Sequence, residues 1–178
     1  MKKFILSIVV ILPFYAFADG HNLAGPGEGS FTTVMVQAPD VSAYIKHLKN
    51  NPELFRGFNA AAAGVCVTIT GQDYNGEMFV WSAHSTVTGA MEETTAYDLD
   101  EASKDLAKLR TLKYRVAWKP LKPFVLSPGF ERVTRVKIKP ENIPAYIAAA
   151  TKLETAIRNA GHDFNMGIFQ PLGGGVHE

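Results

Sequence analysis

The chain has 178 residues, of which 47% are apolar and 20% are charged, a composition typical of a globular domain and not of a disordered segment. Its formal net charge is +1, so bulk charge gives no argument for nucleic acid or an anionic membrane as a partner. The single cysteine, Cys66, excludes an intramolecular disulfide, and the fold has to depend on its hydrophobic core.

The N-terminal residues have the features of a secretory signal peptide. Lys2 and Lys3 precede an apolar run, and Ala16-Phe17-Ala18 forms a small-x-small cleavage site. The apolar run is shorter than the roughly 20 residues that cross a bilayer. We therefore predict a signal peptide over 1–18, cleaved after Ala18, and a protein exported to the bacterial periplasm or secreted, without stable membrane insertion. Residues 19–30, rich in Gly, Asn and Pro, are predicted to form a flexible leader.

The first half of the mature chain predicts a strand, a helix and a hairpin. β-Branched residues favour a strand over 32–38, and Asp40 is placed to cap a helix that begins at Val41. Strands are predicted over 64–70 and 78–85, and an Asn-Gly step between them is a hairpin signal. The helix is amphipathic, with apolar side chains at the i, i+3, i+4 and i+7 positions Val41, Tyr44, Ile45 and Leu48.

A helical pattern over 88–110, in which Asp98 or Asp100 is placed to cap a second helical piece, and an alternating strand over 112–118 complete the unit. The resulting order, β-α-β-β-α-β, predicts an α+β fold of the ferredoxin-like type, in which two helices cover one face of an antiparallel sheet. We assign residues 31–124 to this first unit.

An internal repeat indicates a second, incomplete unit. The stretch Val34 to Ile45 recurs as Val136 to Ile147, a constant 102 positions later. Residues 130–178 are therefore predicted to form a strand from Val133, a helix and a strand over 164–170, without the remaining elements. Either the sequence is truncated at Glu178, which we favour, or another chain completes it by self-association through the sheet face or an open edge.

Two ferredoxin-like units in tandem resemble the dimeric α+β barrel superfamily, in which two such sheets pack face to face. The resemblance covers residues 31–172 and depends on element order and the repeat. It implies a barrel-like fold with a cavity between the sheets. The superfamily includes cofactor-independent monooxygenases, haem-degrading enzymes and isomerases; no family-specific catalytic residue matches this chain, so no cofactor is assigned.

His84 is the candidate acid or base of such a cavity. It shares a strand face with Met78, Val80 and Ser82 and lies at the strand end. The alternative interpretation of His84 is a structural hydrogen-bond partner. Cys66 lies between two valines and is interpreted as buried filler, not as a nucleophile. The histidines have no metal-ligand spacing, so no metal site is predicted.

A basic patch gives the candidate ligand-binding residues. Between positions 113 and 139 the only acid is Glu131, and an anionic small molecule could bind there with apolar contact from Tyr114 or Trp118. The alternative is a solvated strand face neutralised by the acidic helix. The eight basic residues are Lys113, Arg115, Lys119, Lys122, Arg132, Arg135, Lys137 and Lys139. The ligand-binding candidates are His84, Trp118, Arg115, Arg135 and Lys137.

Two functional hypotheses follow. The first is an exported binding protein that holds a small, partly apolar, anionic ligand in a sheet-lined cavity. The alternative is a small barrel-type oxygenase or isomerase with His84 as acid or base. Nucleic acid is not an expected partner, because the chain has no recognisable binding module.

Overall fold

The computed structural model describes residues 28–97 and 103–175. The expected signal peptide (1–18) and residues 19–27 of the expected leader lie outside the described residues. Among the described helices, none has the length and apolar character needed to span a bilayer. The elements are β1 (Ser30–Gln37), α1 (Val41–Asn50), α2 (Glu53–Arg56), β2 (Ala62–Val67), β3 (Glu77–His84), α3 (Val87–Ala96), α4 (Lys104–Leu109), β4 (Thr111–Pro120), a 3-10 helix (Pro140–Asn142), α5 (Ile143–Asn159) and β5 (Phe169–Gly174).

The passage from β1 to α1 follows the sequence pattern. The Asp40 carboxylate accepts a hydrogen bond from the backbone N–H of Ala43 at 2.9 Å and so caps α1. Tyr44 and Leu48, two members of the predicted apolar stripe, are buried against the sheet. The predicted helix at Val41 is confirmed.

The five strands form one antiparallel sheet in the order β2-β3-β1-β4-β5. The α+β class is therefore confirmed, and the order of the first four strands is compatible with the expected ferredoxin-like unit. The hairpin between β2 and β3 depends on Gly76, which has a φ of 75° and whose Cβ would lie 2.1 Å from the Ala38 carbonyl oxygen. Only glycine fits this turn.

The predicted helical stretch over 88–110 contains two helices, α3 and α4, as the expected second helical piece implies; its candidate caps Asp98 and Asp100 lie outside the described residues. Thr86 caps α3 through the N–H of Gly89 at 3.0 Å, and Ser103 caps α4 through the N–H of Leu106 at 3.2 Å. Each cap supplies an acceptor to the unpaired first turn of its helix. The hydroxyl-capped start at Ser103 makes α4 a separate element.

The second copy expected over 130–178 is not confirmed as such. Its helix is present as α5, but no strand forms at Val133, and the later strand begins at Phe169 instead of at position 164. That strand, β5, pairs with β4 of the first sheet. β1 is held between β3 and β4, whereas a strand at Val133 finds no comparable neighbours in the described part of the chain. The barrel-like arrangement is likewise not confirmed.

The core lies between the sheet and the helices α1 and α4. Successive side chains of β1 and β3 point to opposite faces of the sheet. We call the face whose side chains enter the core the helix-facing side. Full burial of an apolar side chain contributes about 1.5–3 kcal/mol. The buried core residues are Val34, Val36, Ala38, Tyr44, Leu48, Met78, Val80 and Leu106.

Candidate functional site

The open face is the side of the sheet that points away from α1 and α4. Its members alternate with the core residues along each strand and stand opposite one another across the strand pairs. The ring of Trp81 lies over Gly64, where an added Cβ would be 2.6 Å from it. The open face comprises Phe31, Thr33 and Met35 of β1, Gly64 and Cys66 of β2, Phe79 and Trp81 of β3, and Tyr114, Val116 and Trp118 of β4.

An aromatic cluster covers one end of the open face. The Phe31 ring lies 5.9 Å from Trp81, 5.4 Å from Phe124 and 5.5 Å from Phe169, measured between centroids. Phe124 and Phe169 are themselves 5.0 Å apart, edge to face. Tilted and edge-on pairs of this kind are the favourable arrangements of aromatic rings. The cluster packs both the segment that follows β4 and strand β5 against β1.

Residues 130–139, the crossing segment, pass over the middle of the open face. Cys66 Sγ donates to Glu131 Oε2 at 3.6 Å, and Arg135 Nη2 donates to Tyr114 Oη at 3.0 Å. Cys66 and Tyr114 belong to one row across four strands, which spans about 14 Å. Four extended residues cover about 13–14 Å, so the chain between Glu131 and Arg135 is long enough to join these two contacts across the row.

The environment of Cys66 agrees with its interpretation as filler. Burial and the adjacent Glu131 carboxylate raise the pKa of the Cys66 thiol to about 12, although a hydrogen bond from Trp81 acts in the opposite direction. The thiolate is the nucleophilic form of cysteine. At neutral pH, Cys66 therefore remains a protonated, unreactive thiol.

His84 lies on the helix-facing side of the sheet, beneath α3. Its Nε2 is 2.5 Å from Glu93 Oε2, and the Ser82 hydroxyl donates to the same oxygen at 2.5 Å. His84 is only 3% exposed and Glu93 only 6%. The group is therefore a closed, buried hydrogen-bond cluster, and its geometry favours the structural role that the sequence left open for His84 as the alternative.

The other ligand-binding candidates point in different directions. Arg115 donates to the carbonyl oxygens of Thr94 and Tyr97 at 3.1 and 3.0 Å, where the helix dipole of α3 favours a cation. Trp118 donates to the Thr33 hydroxyl at 2.8 Å on the open face.

Lys137 lies exposed on the crossing segment, as does Arg135. The structure does not bring the five sequence-predicted residues together. Neighbouring residues of one strand face opposite sides of a sheet, which sequence proximity alone does not resolve.

A cavity of about 40 Å³ lies inside the helix-facing core. Arg110 donates to the hydroxyls of both Tyr44 and Tyr97 at 3.0 Å along its wall. Burial raises the pKa of Tyr44, and Arg110 partly offsets the rise. The volume is sufficient for a water molecule but not for an organic ligand.

A larger cleft lies between α5 and the segment that follows β4. Its volume is about 510 Å³, within the range of about 300–1,000 Å³ typical of small-molecule sites. Apolar side chains form part of the wall and polar or charged ones the rest. The lining residues are Lys122, Pro123, Phe124, Val125, Thr151, Glu154, Thr155, Arg158, Asn159 and Asn165.

A buried ion pair fixes one wall of this cleft. Lys122 Nζ donates to Glu154 Oε2 at 2.7 Å and to the carbonyl oxygens of Pro123 and Met166 at 3.0 and 2.6 Å. Glu154 Oε1 accepts the Met166 N–H at 3.1 Å. Burial opposes ionisation of Glu154, but the hydrogen bonds from Lys122 and Met166 outweigh it and hold the pKa of this carboxyl below its usual value. The pair ties α5 to the first unit.

Arg158 gives the cleft its unbalanced charge. Lys122 and Glu154 neutralise each other, and Arg158 lies one helical turn beyond Glu154 on the same face of α5. Phe124 supplies an aromatic surface and also belongs to the aromatic cluster. The cleft therefore combines an apolar wall with a guanidinium group.

Sequence reasoning missed this cleft. Lys122 was counted within the basic patch, and its pairing with Glu154, 32 positions away, depends on where α5 docks. The i, i+4 spacing of Glu154 and Arg158 was the one available signal, and it is equally typical of a solvated helix face.

No family model and no curated protein matches the chain. Within residues 28–97 and 103–175, no group of three or more His, Cys, Asp and Glu side chains is arranged to hold a metal ion.

Proposed function

We propose that the protein is an exported binding protein that holds a small, partly apolar anion in the cleft beside α5. The observation that carries the proposal is the combination of a 510 Å³ cleft, an aromatic wall at Phe124 and the unbalanced charge of Arg158. The ligand class is the one expected from the sequence. The cleft is favoured over the sheet-lined cavity because the residues expected to bind there lie on different sides of the sheet.

The Lys122–Glu154 pair preorganises the site. All three ammonium hydrogens of Lys122 have acceptors. The pair therefore has little capacity left to bind the ligand, and its role is to hold the wall of the cleft in place. A site that is formed before binding avoids the entropy cost of ordering it. The planar guanidinium group of Arg158 can then bind a carboxylate through two parallel hydrogen bonds, while an aromatic ring of the ligand packs against Phe124.

Export depends on the N-terminal features at Lys2-Lys3 and Ala16-Phe17-Ala18. This part of the proposal is tested by fractionating bacteria that express the protein and detecting it in each fraction by Western blotting. The variant Ala16→Arg, Ala18→Arg serves as the uncleaved control.

We further propose that the chain is related to the tandem ferredoxin-like proteins of the dimeric α+β barrel type. The strand order β2-β3-β1-β4 and the position of the crossing segment over the open face support this. Glu131 and Arg135 both direct their side chains to the open face, as a strand of an opposing sheet would. An experimental structure in which 133–138 lies far from the open face would contradict the placement.

Titration calorimetry with benzoate and its neutral isostere benzamide tests the ligand class. We expect benzoate to bind at least tenfold more tightly than benzamide, because a hydrogen bond to a charged group contributes about 1.5–3 kcal/mol. Arg158→Gln should remove this preference. Lys152→Gln, an exposed cation on α5 that does not line the cleft, should leave it unchanged.

Two results would contradict the proposal. One is the absence of benzoate binding at millimolar concentration together with no binding of larger aromatic carboxylates. The other is equal loss of binding in Arg158→Gln and Lys152→Gln, which would reduce the effect to general surface charge.

The geometry gives no comparable support to an oxygenase or isomerase with His84 as acid or base. A catalytic base has to come within hydrogen-bond reach of its substrate. The Nε2 of His84 is instead engaged by Glu93, and His84 lines neither the 40 Å³ cavity nor the cleft.

A further inference from the structure

Two threonines of α5 present hydrogen-bond acceptors to the cleft. Thr151 Oγ1 donates its hydrogen to the Ile147 carbonyl oxygen at 2.8 Å, and Thr155 Oγ1 donates to the Thr151 carbonyl oxygen at 2.9 Å. A hydroxyl group has one hydrogen and two lone pairs. Because both hydrogens are used within the helix, each of these threonines, which line the cleft, offers the lone pairs of its oxygen to a ligand.

A buried carboxylate lies beside the two threonines. Glu154 is 8% exposed and lines the cleft, and its oxygens accept hydrogen bonds from Lys122 Nζ and the Met166 N–H. An ionised carboxylate has no hydrogen to donate, and its oxygens together have about four lone-pair sites. Lys122 has all three of its hydrogens engaged. We call Thr151, Glu154 and Thr155 the acceptor wall.

The hydrogen-bond donors of the cleft lie further along α5. Arg158 has N–H donors and no acceptor, and it follows Thr155 by about 4.5 Å along the helix axis. Asparagine can present either a donor or an acceptor, so Asn159 and Asn165 do not select between the two. The cleft therefore has a cation at one end and the acceptor wall before it.

We propose that the ligand is an aromatic carboxylate that also carries a hydrogen-bond donor, a hydroxyl or an amino group, which bonds the acceptor wall. This rests on the function proposed above, because it concerns the same cleft and the same anion. A ligand without that donor leaves the acceptors of the wall unpaired once water is displaced, which costs free energy. The wall therefore selects among aromatic acids that Arg158 alone does not distinguish.

Titration calorimetry with para- and meta-hydroxybenzoate and their methoxy analogues tests the donor. We expect one hydroxy acid to bind about threefold to tenfold more tightly than its methoxy analogue, which keeps the oxygen but lacks the hydrogen. The double variant Thr151→Val, Thr155→Val should lose most of this preference, because valine has the shape of threonine without the hydroxyl. The double variant Thr151→Ser, Thr155→Ser keeps both hydroxyls and should retain the preference.

Thr95→Val is the matched control. Thr95 is an exposed threonine of α3 whose hydroxyl also donates to a carbonyl of the preceding turn, that of Glu92 at 2.9 Å, and it does not line the cleft. Its replacement should leave the preference unchanged. Equal affinity for the hydroxy and methoxy acids would overturn the proposed donor. So would a preference that survives in the valine double variant, because it would then reflect the size of the methoxy group.

The neutral pair para-hydroxybenzamide and para-methoxybenzamide separates the donor from the anion. A preference for the hydroxyl in this pair that the valine double variant loses would support the acceptor wall, even if Arg158→Gln left benzoate binding unchanged and so contradicted the anion site. Preference for benzoate over benzamide that depends on Arg158, without any preference for the hydroxyl, would overturn the donor and leave the anion site. Absence of binding of all these compounds at millimolar concentration would overturn both.

Discussion

Lys122 Nζ lies 2.7 Å from Glu154 Oε2, and the two side chains are 7% and 11% exposed. A lysine that follows β4 is thereby joined to the middle of α5. Both charges are largely removed from water, so each is stabilised mainly by the other. A buried ion that loses its partner still carries the free-energy cost of its desolvation. Four predictions test this pair and the other buried groups.

Removing one member of the pair should destabilise the protein strongly. We expect Lys122→Met to lower the free energy of unfolding by about 3–5 kcal/mol, because Glu154 is left buried without its cation. The double variant Lys122→Met, Glu154→Leu should recover part of this loss. Urea denaturation measures both, with Lys152→Met as the exposed control. Equal effects of Lys122→Met and Lys152→Met would contradict the prediction.

The same pair makes stability depend on acid pH. The pKa of Glu154 is lower in the folded chain than its ordinary value of 4.5, so the folded state favours the ionised form. Its contribution is fully present above pH 4.5 and is lost as the pH falls from there through the folded pKa. The melting temperature of the unaltered chain should fall over this window more than that of Glu154→Gln. Parallel curves for the two proteins would show that another group is responsible.

The buried cluster under α3 should behave as a structural unit. We expect Glu93→Leu to lower the free energy of unfolding by about 2–3 kcal/mol, because His84 and Ser82 lose their shared acceptor. Glu92→Leu removes the neighbouring carboxylate, which is exposed, and should change stability by less than about 0.5 kcal/mol. Urea denaturation of the two variants decides between a buried hydrogen-bond role and a general effect of α3 charge.

Cys66 should react slowly with alkylating reagents. With a pKa of about 12, its thiolate fraction at pH 8 is about a thousandfold below that of an ordinary thiol of pKa 9.0, and the thiolate is the reactive species. Iodoacetamide labelling followed by mass spectrometry measures the rate. Glu131→Gln should accelerate it, because the neighbouring negative charge is removed. Rapid labelling of the unaltered chain would contradict the assignment of Cys66 as buried filler.

Local sequence signals predicted the first unit well because its elements are defined by nearby residues. The Asp40 cap, the stripe containing Tyr44 and Leu48, and the hairpin before Gly76 all depend on spacings of a few positions. These determine element type, and alternation then determines which residues share a face.

The second segment was harder to predict because its structure depends on neighbours and not on pattern. The stretch from Val133 has the same alternation as β1, but a strand requires partners along its edges. The helical spacing of the apolar residues from Ile143 onward predicted α5 correctly. The position of β5 beside β4 depends instead on which edge of the sheet was unpaired.

The ligand class stays a prediction, and the residues that lead to it differ between the sequence and the structure. An anionic, partly apolar ligand was inferred from a basic patch, and the residues named for it were near each other only along the chain. Arg115 is engaged by carbonyl groups at the end of α3. Arg158, which lies 43 positions later, gives the cleft its charge.

The docking of β5 on β4 also has a consequence for handling the protein. Because β5 pairs with β4, the opposite edge of the sheet is formed by β2. The residues of β2, Ala62 to Val67, include neither a charged residue nor a proline. Outer strands of this composition are where misassembly into fibrils and amorphous precipitate begins. Preparations should therefore tolerate concentration better when a lysine replaces Val67, a side chain that is already 40% exposed.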